Sequence, residues 1–381
     1  MYGISYTLLG LLVVIYFLTQ LFVDLIFSFF SHKFNISSTI KLTPLISVIG
    51  MVIYAVWPWV FQDTIYTGLV IGTIFFSASS GLCEVLLSPL IASIPSDDPD
   101  RQMSKLHSIY AWGVVFVILI TSAFLLIVPD RYWQYLVLLF ALVPLIAFVL
   151  FCGVNVPHMQ TPQKVSGVIK LLKTKSLWLC VLAIFLGGAA ECTMAQWCSS
   201  YLEMSLGIPK LWGDLLGVAL FAVMLGTGRT LYAKRGKNIS KILLFGAIGA
   251  VCGYFVAAVV KIPVFALLAC GFTGLCVSML WPGCLIVAAE IFPGGSVFIY
   301  AMMAAGGDLG ASVGPQAVGM ITDMAIQNPK IIHLSSALSI TPEKLGMKIG
   351  MLTGMLFPLA AVLVFHHIHN KRKTKRLEIL Q

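Results

Sequence analysis

Four carboxylic acids lie inside long apolar segments of the sequence: Asp24, Glu84, Glu191 and Asp308. An ionised side chain is costly in a hydrocarbon environment, so such residues are functional candidates by default. No lysine or arginine lies in the middle of these segments, and the nearest, Arg229, stands at the end of one. The sequence therefore predicts carboxylates without a permanent cationic partner, for which burial favours the protonated form.

Glu84 belongs to a stripe of polar residues in a segment that is otherwise apolar. Residues three or four positions apart share one face of a helix, and the stripe consists of Thr73, Ser77, Ser80, Glu84 and Ser88. Glu84 lies about ten residues, or ~15 Å, from the end of its segment, which is close to the middle of a bilayer. We predict that the stripe faces a hydrated cavity in which Glu84 can bind hydroxyl groups and exchange a proton. The alternative is that Glu84 only pairs with a neighbouring helix.

A second candidate site surrounds Glu191 in the sequence GGAAECTMAQWCSS. Gly187 and Gly188 permit close helix approach or local unwinding. Gln196 offers an amide for hydrogen bonds, and Trp197 offers a flat surface for stacking. We predict that Glu191, Gln196 and Trp197 bind a solute, the alternative being that Glu191 only pairs with a neighbouring helix.

The other candidates allow two interpretations each. Asp24 shares a helix face with Gln20, a candidate solute ligand one turn away, and its structural and proton-coupling roles are equally supported. Asp308 lies among small residues suited to tight helix packing, namely Gly306, Gly310 and Gly314. Packing is the favoured role there, and proton coupling is the alternative. His107 could relay protons, but an inert histidine near the membrane surface is favoured.

The elements that hold these residues must be membrane-spanning helices. Of 381 residues, 59% are hydrophobic and 10% are charged, against roughly 25% charged in soluble domains. Lipid admits only helices or closed barrels, because every backbone polar group must be paired within the protein. The apolar runs are long and lack the alternation of barrel strands. About eleven spans are predicted, at residues 6–30, 42–61, 65–94, 106–128, 133–154, 177–201, 211–232, 242–260, 263–291, 297–324 and 346–366.

The basic residues predict how the chain is oriented. Of 24 lysines and arginines, 18 lie in every second connection and in the C-terminal tail, and 6 lie in the others. Basic connections remain in the cytoplasm. This bias predicts a cytoplasmic C-terminus, an external Met1 and an odd number of spans. The net charge of +9 follows the same connections, so it indicates anchoring to a lipid bilayer rather than nucleic-acid binding.

Several classes of protein are excluded by missing motifs. The nine cysteines lie within or beside apolar runs without CxxC spacing, so we predict packing residues and neither metal ligands nor disulfides. The sequence contains no GxxxxGK[ST] phosphate loop, no GxSxG elbow and no HExxH zinc motif. We therefore predict that the protein is not an enzyme and uses no cofactor or metal.

The order of spans predicts two related halves. A basic connection at residues 155–176 separates five spans from six, and its stretch SGVIKLL could form a short surface helix. Two basic loops six spans apart, SHKFNISSTIK and RTLYAKRGKNISK, suggest six-helix repeats with the first helix of the first repeat absent. The predicted domains are a five-span bundle (1–154), a cytoplasmic linker (155–176), a six-helix bundle (177–370) and a basic cytoplasmic tail (371–381).

The sequence GLCEVLLSP at residues 81–89 resembles the fucose permease-like sugar:proton symporters of the major facilitator superfamily. The fourth helix of that family carries a glutamate followed five residues later by proline, which are Glu84 and Pro89 here. Residues 3–25 are similar to the start of the family's second helix, with Gln20 and Asp24 in place. The resemblance implies two pseudo-symmetric helical bundles and secondary active, proton-coupled transport of a small neutral solute, a sugar among the options, by alternating access. A monomer in the plasma membrane is expected.

Two departures from the family keep a rival hypothesis open. The superfamily's signature loop after its second helix is replaced by SFFSHKFN. Family members also begin with a helix that this sequence lacks, and an acidic residue on that helix contributes to proton coupling. The rival is therefore a truncated, transport-inactive membrane protein or receptor that retains the fold. Solute uptake by vesicles that contain the protein distinguishes the two.

Overall fold

The computed structural model describes residues 6–157, 159, 171–208, 213–293 and 297–380. Within these ranges the regular structure is helical, and ten helices are long and apolar enough to cross a membrane. The first helix adds a shorter apolar stretch, Val14–Phe27. Large apolar side chains lie on the outer surface, and Leu126 and Ile127 are 71% and 82% exposed. The all-α membrane fold expected from composition is confirmed.

Fourteen helices are labelled in chain order in the described part of the chain. They are α1 (Tyr6–Phe30), α2 (Ile36–Val60), α3 (Ile65–Ser93), α4 (Pro99–Ile127), α5 (Trp133–Cys152), α6 (Lys175–Leu206), α7 (Ala219–Arg235), α8 (Ile239–Val259), α9 (Pro263–Val277), α10 (Leu280–Ile291), α11 (Val297–Gln327), α12 (Pro329–Ala337), α13 (Pro342–Gly354) and α14 (Leu356–Leu380). Short 3-10 helices span Ser31–Lys33, Gln62–Thr64 and Asp130–Tyr132, and a π-helix at Gly213–Val218 leads into α7.

Two helices begin earlier than hydropathy predicts, because polar residues cap them. The side chain of Asn35 accepts a hydrogen bond from the Ser38 N–H at 3.1 Å, so α2 starts at Ile36 rather than at residue 42. Asp98 accepts from the Arg101 N–H at 3.2 Å, and α4 starts at Pro99 rather than at 106. Capping satisfies the first N–H groups of a helix without any apolar residue, so a hydropathy window does not detect these turns.

Two predicted spans are interrupted within the turn that precedes a proline. The segment 263–291 divides into α9 and α10 around Ser278, and Pro282 lacks the N–H that would reach the Ser278 carbonyl. The last span divides into α13 and α14 in the same way ahead of Pro358. Helix α14 also continues through the basic residues of the predicted tail to Leu380. The surface helix predicted in the linker lies mostly outside the described residues.

The chain forms two compact units by internal contacts. Unit 1 consists of Met1–Ser96, Ile120–Thr174 and Phe292–Ala305, and unit 2 of Asp97–Leu119, Lys175–Ile291 and Gly306–Gln381. The long helices α4 and α11 are therefore each divided between the units. In unit 1, α3 packs against α1 and α2. In unit 2, α6 packs against α9, α10, α13 and α14.

Candidate functional site

Glu84 and Gln20, two of the predicted site residues, meet in unit 1. The Gln20 amide Nε2 donates a hydrogen bond of 2.5 Å to Glu84 Oε2. Gln20 is buried and Glu84 is half-buried. The two helices approach closely because Gly81 lies against the backbone of Gln20, where an added Cβ would be 3.2 Å from the Gln20 carbonyl oxygen. A small residue one turn before Glu84 thus sets the spacing of the pair.

A second contact repeats this arrangement one turn earlier. The Tyr16 hydroxyl and Ser80 Oγ are 2.9 Å apart, and each lies four residues before a member of the first pair. We call these two contacts the α1–α3 ladder. Ser80 is part of the predicted polar stripe, whereas Tyr16 is not among the predicted site residues. Its position one turn before Gln20 was the available signal, since residues four apart share a helix face.

Asp24 lies one turn beyond Gln20 on α1 and is fully buried. The register of the ladder places it level with Ser88, which is also buried. The structure therefore places Gln20, Asp24 and Glu84 in one region of unit 1. This region is where α1 and α3 present their polar residues to each other.

The expectation that the whole polar stripe of α3 faces a hydrated cavity is wrong for its first turns. Thr73 and Ser77 are buried, and their hydroxyls donate to carbonyls of the same helix, Thr73 to Leu69 at 2.7 Å and Ser77 to Thr73. Serine and threonine can satisfy themselves in this way without water or a ligand. The second half of the stripe, at Ser80 and Glu84, contacts α1 instead.

Glu191 in unit 2 has a cationic partner, so the expectation that the buried carboxylates lack one is wrong here. Arg229 Nη2 lies 2.8 Å from Glu191 Oε1 and 2.9 Å from Oε2. Both residues are buried. Arg229 projects from α7 several residues before its last residue, Arg235. Arg229 was predicted to stand at the end of a span, and its long side chain reaches α6 from there.

The Arg229 guanidinium also holds two backbone carbonyls. Nε donates to the Ser278 oxygen at 2.9 Å, and Nη1 donates to the His107 oxygen at 3.1 Å. The Ser278 carbonyl is the one that Pro282 leaves without a helical donor. Ser104 Oγ in turn donates to the Arg229 carbonyl at 2.7 Å. Arg229 thus connects α7 with α4, α6 and the break between α9 and α10.

Gln196 and Trp197 do not join Glu191. Gln196 is exposed and lies five residues further along α6, which is a rotation of roughly 140° around a helix. Trp197 donates its Nε1 hydrogen to the Pro315 carbonyl at 2.9 Å, so its single donor is already used. The two residues occupy other faces of α6 than Glu191.

The glycines of α6 and α11 serve close helix packing. Helix α6 is continuous from Lys175 to Leu206, so Gly187 and Gly188 cause no unwinding. A Cβ at Gly188 would lie 2.7 Å from the Gly307 carbonyl oxygen. On α11, Gly310 faces the Phe185 carbonyl and Gly314 faces the Ala189 carbonyl. These contacts fit the packing interpretation of the glycine face, while Asp308 itself is buried and its coupling role stays a prediction.

The described ranges contain all nine cysteines, and none forms a disulfide. Within those ranges, no three histidine, cysteine or carboxylate side chains are placed to hold a metal ion. Each unit therefore has its own candidate site: the α1–α3 ladder with Asp24 in unit 1, and the Arg229 cluster in unit 2.

The sequence pattern of the Major Facilitator Superfamily matches residues 1–315. The chain belongs to this superfamily. Members of the superfamily are transporters, so the protein is a multi-pass membrane transporter and not an enzyme. No curated protein sequence matches the chain.

Solved structures with the same fold include transporters of different solutes. The fucose:proton symporter FucP of E. coli has a TM-score of 0.68 and 15% identity, over 93% of this chain and 91% of its own. The proton:xylose symporter XylE has a TM-score of 0.73 and 16% identity, over 95% and 87%. The human organic anion transporter MFSD10 has a TM-score of 0.69 and 12% identity, over 93% and 82%. At these identities the likeness establishes the fold alone.

Proposed function

We propose that this superfamily member is a proton-coupled secondary active transporter of a small neutral solute such as a sugar. Glu84 is the residue that binds both solute and proton. The observation that carries the proposal is the contact between Glu84 and Gln20, which places a half-buried carboxylate against a neutral amide. The amide donates to the carboxylate and adds no charge of its own.

This pair suits a solute with hydroxyl groups. An ionised carboxylate accepts hydrogen bonds, including one from the Gln20 amide and others from solute hydroxyls. Protonation turns one of its oxygens into a donor and weakens its acceptor strength. Binding of the solute and binding of the proton thus depend on each other. An anionic solute would meet the negative charge of Glu84, so anions are disfavoured.

The structural neighbours support this class of solute but do not decide it. FucP and XylE are described as sugar:proton symporters, whereas MFSD10 has the same fold and is described as an organic anion transporter. Fold alone therefore leaves the solute open, and the chemistry at Glu84 favours a neutral one. The remaining elements of the proposal are a monomer in the plasma membrane, a cytoplasmic C-terminus, and alternating access between the halves 1–154 and 177–370.

Other residues have secondary roles in the proposal. Asp24, buried one turn from Gln20, is a second coupling carboxylate, and Asp308 is a third. Gln196 is exposed on α6, and Trp197 lies beside it. We retain both as solute contacts. Glu191 belongs to the solute site only indirectly, because Arg229 already occupies its carboxylate.

The test is Glu84→Gln in reconstituted vesicles with radiolabelled fucose, xylose and glucose. The amide preserves shape and fixes the neutral state, so we expect loss of accumulation driven by a proton gradient while exchange of labelled for unlabelled solute remains measurable. Glu203→Gln is the matched control, because Glu203 is exposed near the end of α6. Normal driven accumulation by the Glu84 variant refutes the coupling role. Absence of all uptake by the unaltered protein favours the transport-inactive rival.

A further inference from the structure

The Arg229 guanidinium is a highly connected polar group within the described part of unit 2. It is 1% exposed, and its three nitrogens donate to three different parts of the chain. These are the carboxylate of Glu191 on α6, the carbonyl of His107 on α4 and the carbonyl of Ser278 at the α9–α10 break. The Tyr110 ring lies 5.9 Å from the guanidinium carbon.

The guanidinium is planar, so its donors have fixed relative directions. Glu191 receives both of its hydrogen bonds from Nη2, and charge-assisted bonds of this kind are the strongest in the cluster. The carboxylate therefore orients the plane. Once the plane is oriented, Nη1 and Nε can reach only the places where the His107 and Ser278 carbonyls stand.

The chain segments around His107 and Ser278 make further contacts with Arg229 and with each other. Ser104, one turn before His107 on α4, donates to the Arg229 carbonyl at 2.7 Å and contacts the Met279 sulfur at 3.6 Å. Met279 directly follows Ser278 at the break. The Ser278 carbonyl takes from Arg229 Nε a hydrogen bond that Pro282 cannot give. The first half of α4 and the break are thus fixed around one side chain.

We propose that Arg229 is a positioning residue of the transport reaction, oriented by Glu191, which holds the first half of α4 and the α9–α10 break in one arrangement. Glu191 acts in transport through Arg229 and does not contact the solute. The inference rests on the proposed function only for its kinetic test. All residues that Arg229 holds in place lie in unit 2.

The first experiment needs no transport. Hydrogen exchange is followed by mass spectrometry on the purified full chain, comparing Arg229→Lys and Glu191→Gln with the unaltered protein. Lysine keeps the charge but has a single ammonium group that cannot supply three fixed directions. We expect at least tenfold faster exchange in peptides covering residues 97–119 and 275–285. Arg101→Lys is the matched control, because the Arg101 side chain on α4 is 38% exposed and pairs with Asp98, so this variant should leave both peptides unchanged.

A buried charge without its partner can prevent folding, so the double variant Glu191→Gln with Arg229→Met is included. It contains neither charge and lacks the three-way donor, and we expect the same faster exchange in both peptides. Unchanged exchange in both peptides, in Arg229→Lys or in the double variant, overturns the proposal. That outcome would mean the cluster only compensates charge.

The second experiment measures uptake kinetics with the labelled sugars of the test above. We expect Arg229→Lys and Glu191→Gln to lower the maximal rate at least tenfold while KM changes less than twofold. A tenfold higher KM at an unchanged maximal rate would place the pair in contact with the solute and overturn the proposal. If the unaltered protein takes up none of the sugars, the proposed function fails while the exchange result still decides the role of Arg229.

Discussion

Two carboxylates that look alike in the sequence have different partners in the structure. Glu84 accepts a hydrogen bond from the neutral Gln20 amide, whereas Glu191 is bound by the Arg229 cation. A protonated Glu84 keeps a carbonyl oxygen that can still accept from the Gln20 amide, but a proton added to Glu191 would deprive Arg229 of its counter-ion. Sequence reasoning detected the depth of both acids. It could not detect their partners, because each partner lies on a different helix and no spacing rule connects them.

Replacement of Gln20 by leucine tests the Glu84 contact. Gln20→Leu keeps a similar size and removes the donor, and a hydrogen bond to a charged group is worth about 1.5–3 kcal/mol. We expect initial rates of proton-driven uptake to fall by about tenfold or more. Tyr16→Phe is the matched control, because it removes the other contact of the ladder and retains its ring. Equal losses in both variants would show that the helix interface matters and the Glu84 contact does not.

Prolines and glycines determine how the helices deviate from the simple spans that hydropathy predicts. Pro282 explains the break at Ser278, and the sequence contained that signal. The start of α2 at Ile36 depends on the Asn35 cap, which is also readable from the sequence but invisible to an average of hydropathy. The close approach of α3 to α1 at Gly81 could not be predicted from the sequence of α3. It depends on which helix lies opposite, and a single helix sequence does not contain that information.

Gly81→Val tests whether this approach sets the Glu84 contact. The added Cβ would lie 3.2 Å from the Gln20 carbonyl oxygen and 3.2 Å from the Val23 Cβ, closer than ordinary van der Waals contact, and such overpacking costs about 1–3 kcal/mol. We expect a lower melting temperature in detergent and reduced proton-driven uptake. Gly113→Val on α4 is the control, since nothing lies within 4 Å of a Cβ built there. Equal effects of the two variants would show that Gly81 does not set the distance between α1 and α3.

For the whole molecule, composition alone predicted the class of fold. A chain with 59% hydrophobic and 10% charged residues has no soluble alternative, and the ten long apolar helices follow from it. The grouping of helices into units was less accessible. Helices α4 and α11 are shared between unit 1 and unit 2, while a reading along the chain assigns each helix to one half. Hydropathy indicates where a helix crosses a membrane and gives no information on which neighbours it packs against.

The orientation of the chain in the membrane remains a prediction from charge. Because 18 of the 24 basic residues lie in alternate connections and the C-terminal tail, we expect the C-terminus to be cytoplasmic. A fluorescent protein fused after Gln381 should fluoresce in bacterial cells, and alkaline phosphatase fused there should be inactive. The same two reporters placed in the connection at residues 328–341 should give the reverse result. Active phosphatase at the C-terminus would contradict the charge argument.

The regular spacing of the α1–α3 ladder has one more consequence. Its contacts repeat every four residues on both helices, with Tyr16 opposite Ser80 and Gln20 opposite Glu84. A slip of α1 by a single turn, about 5.4 Å, would therefore bring another polar pair into register, with Asp24 opposite Glu84. Two carboxylates so close repel each other, which favours protonation of one of them. Such a slip would therefore require a proton shared between the two acids, and the present register of Gln20 opposite Glu84 avoids that requirement.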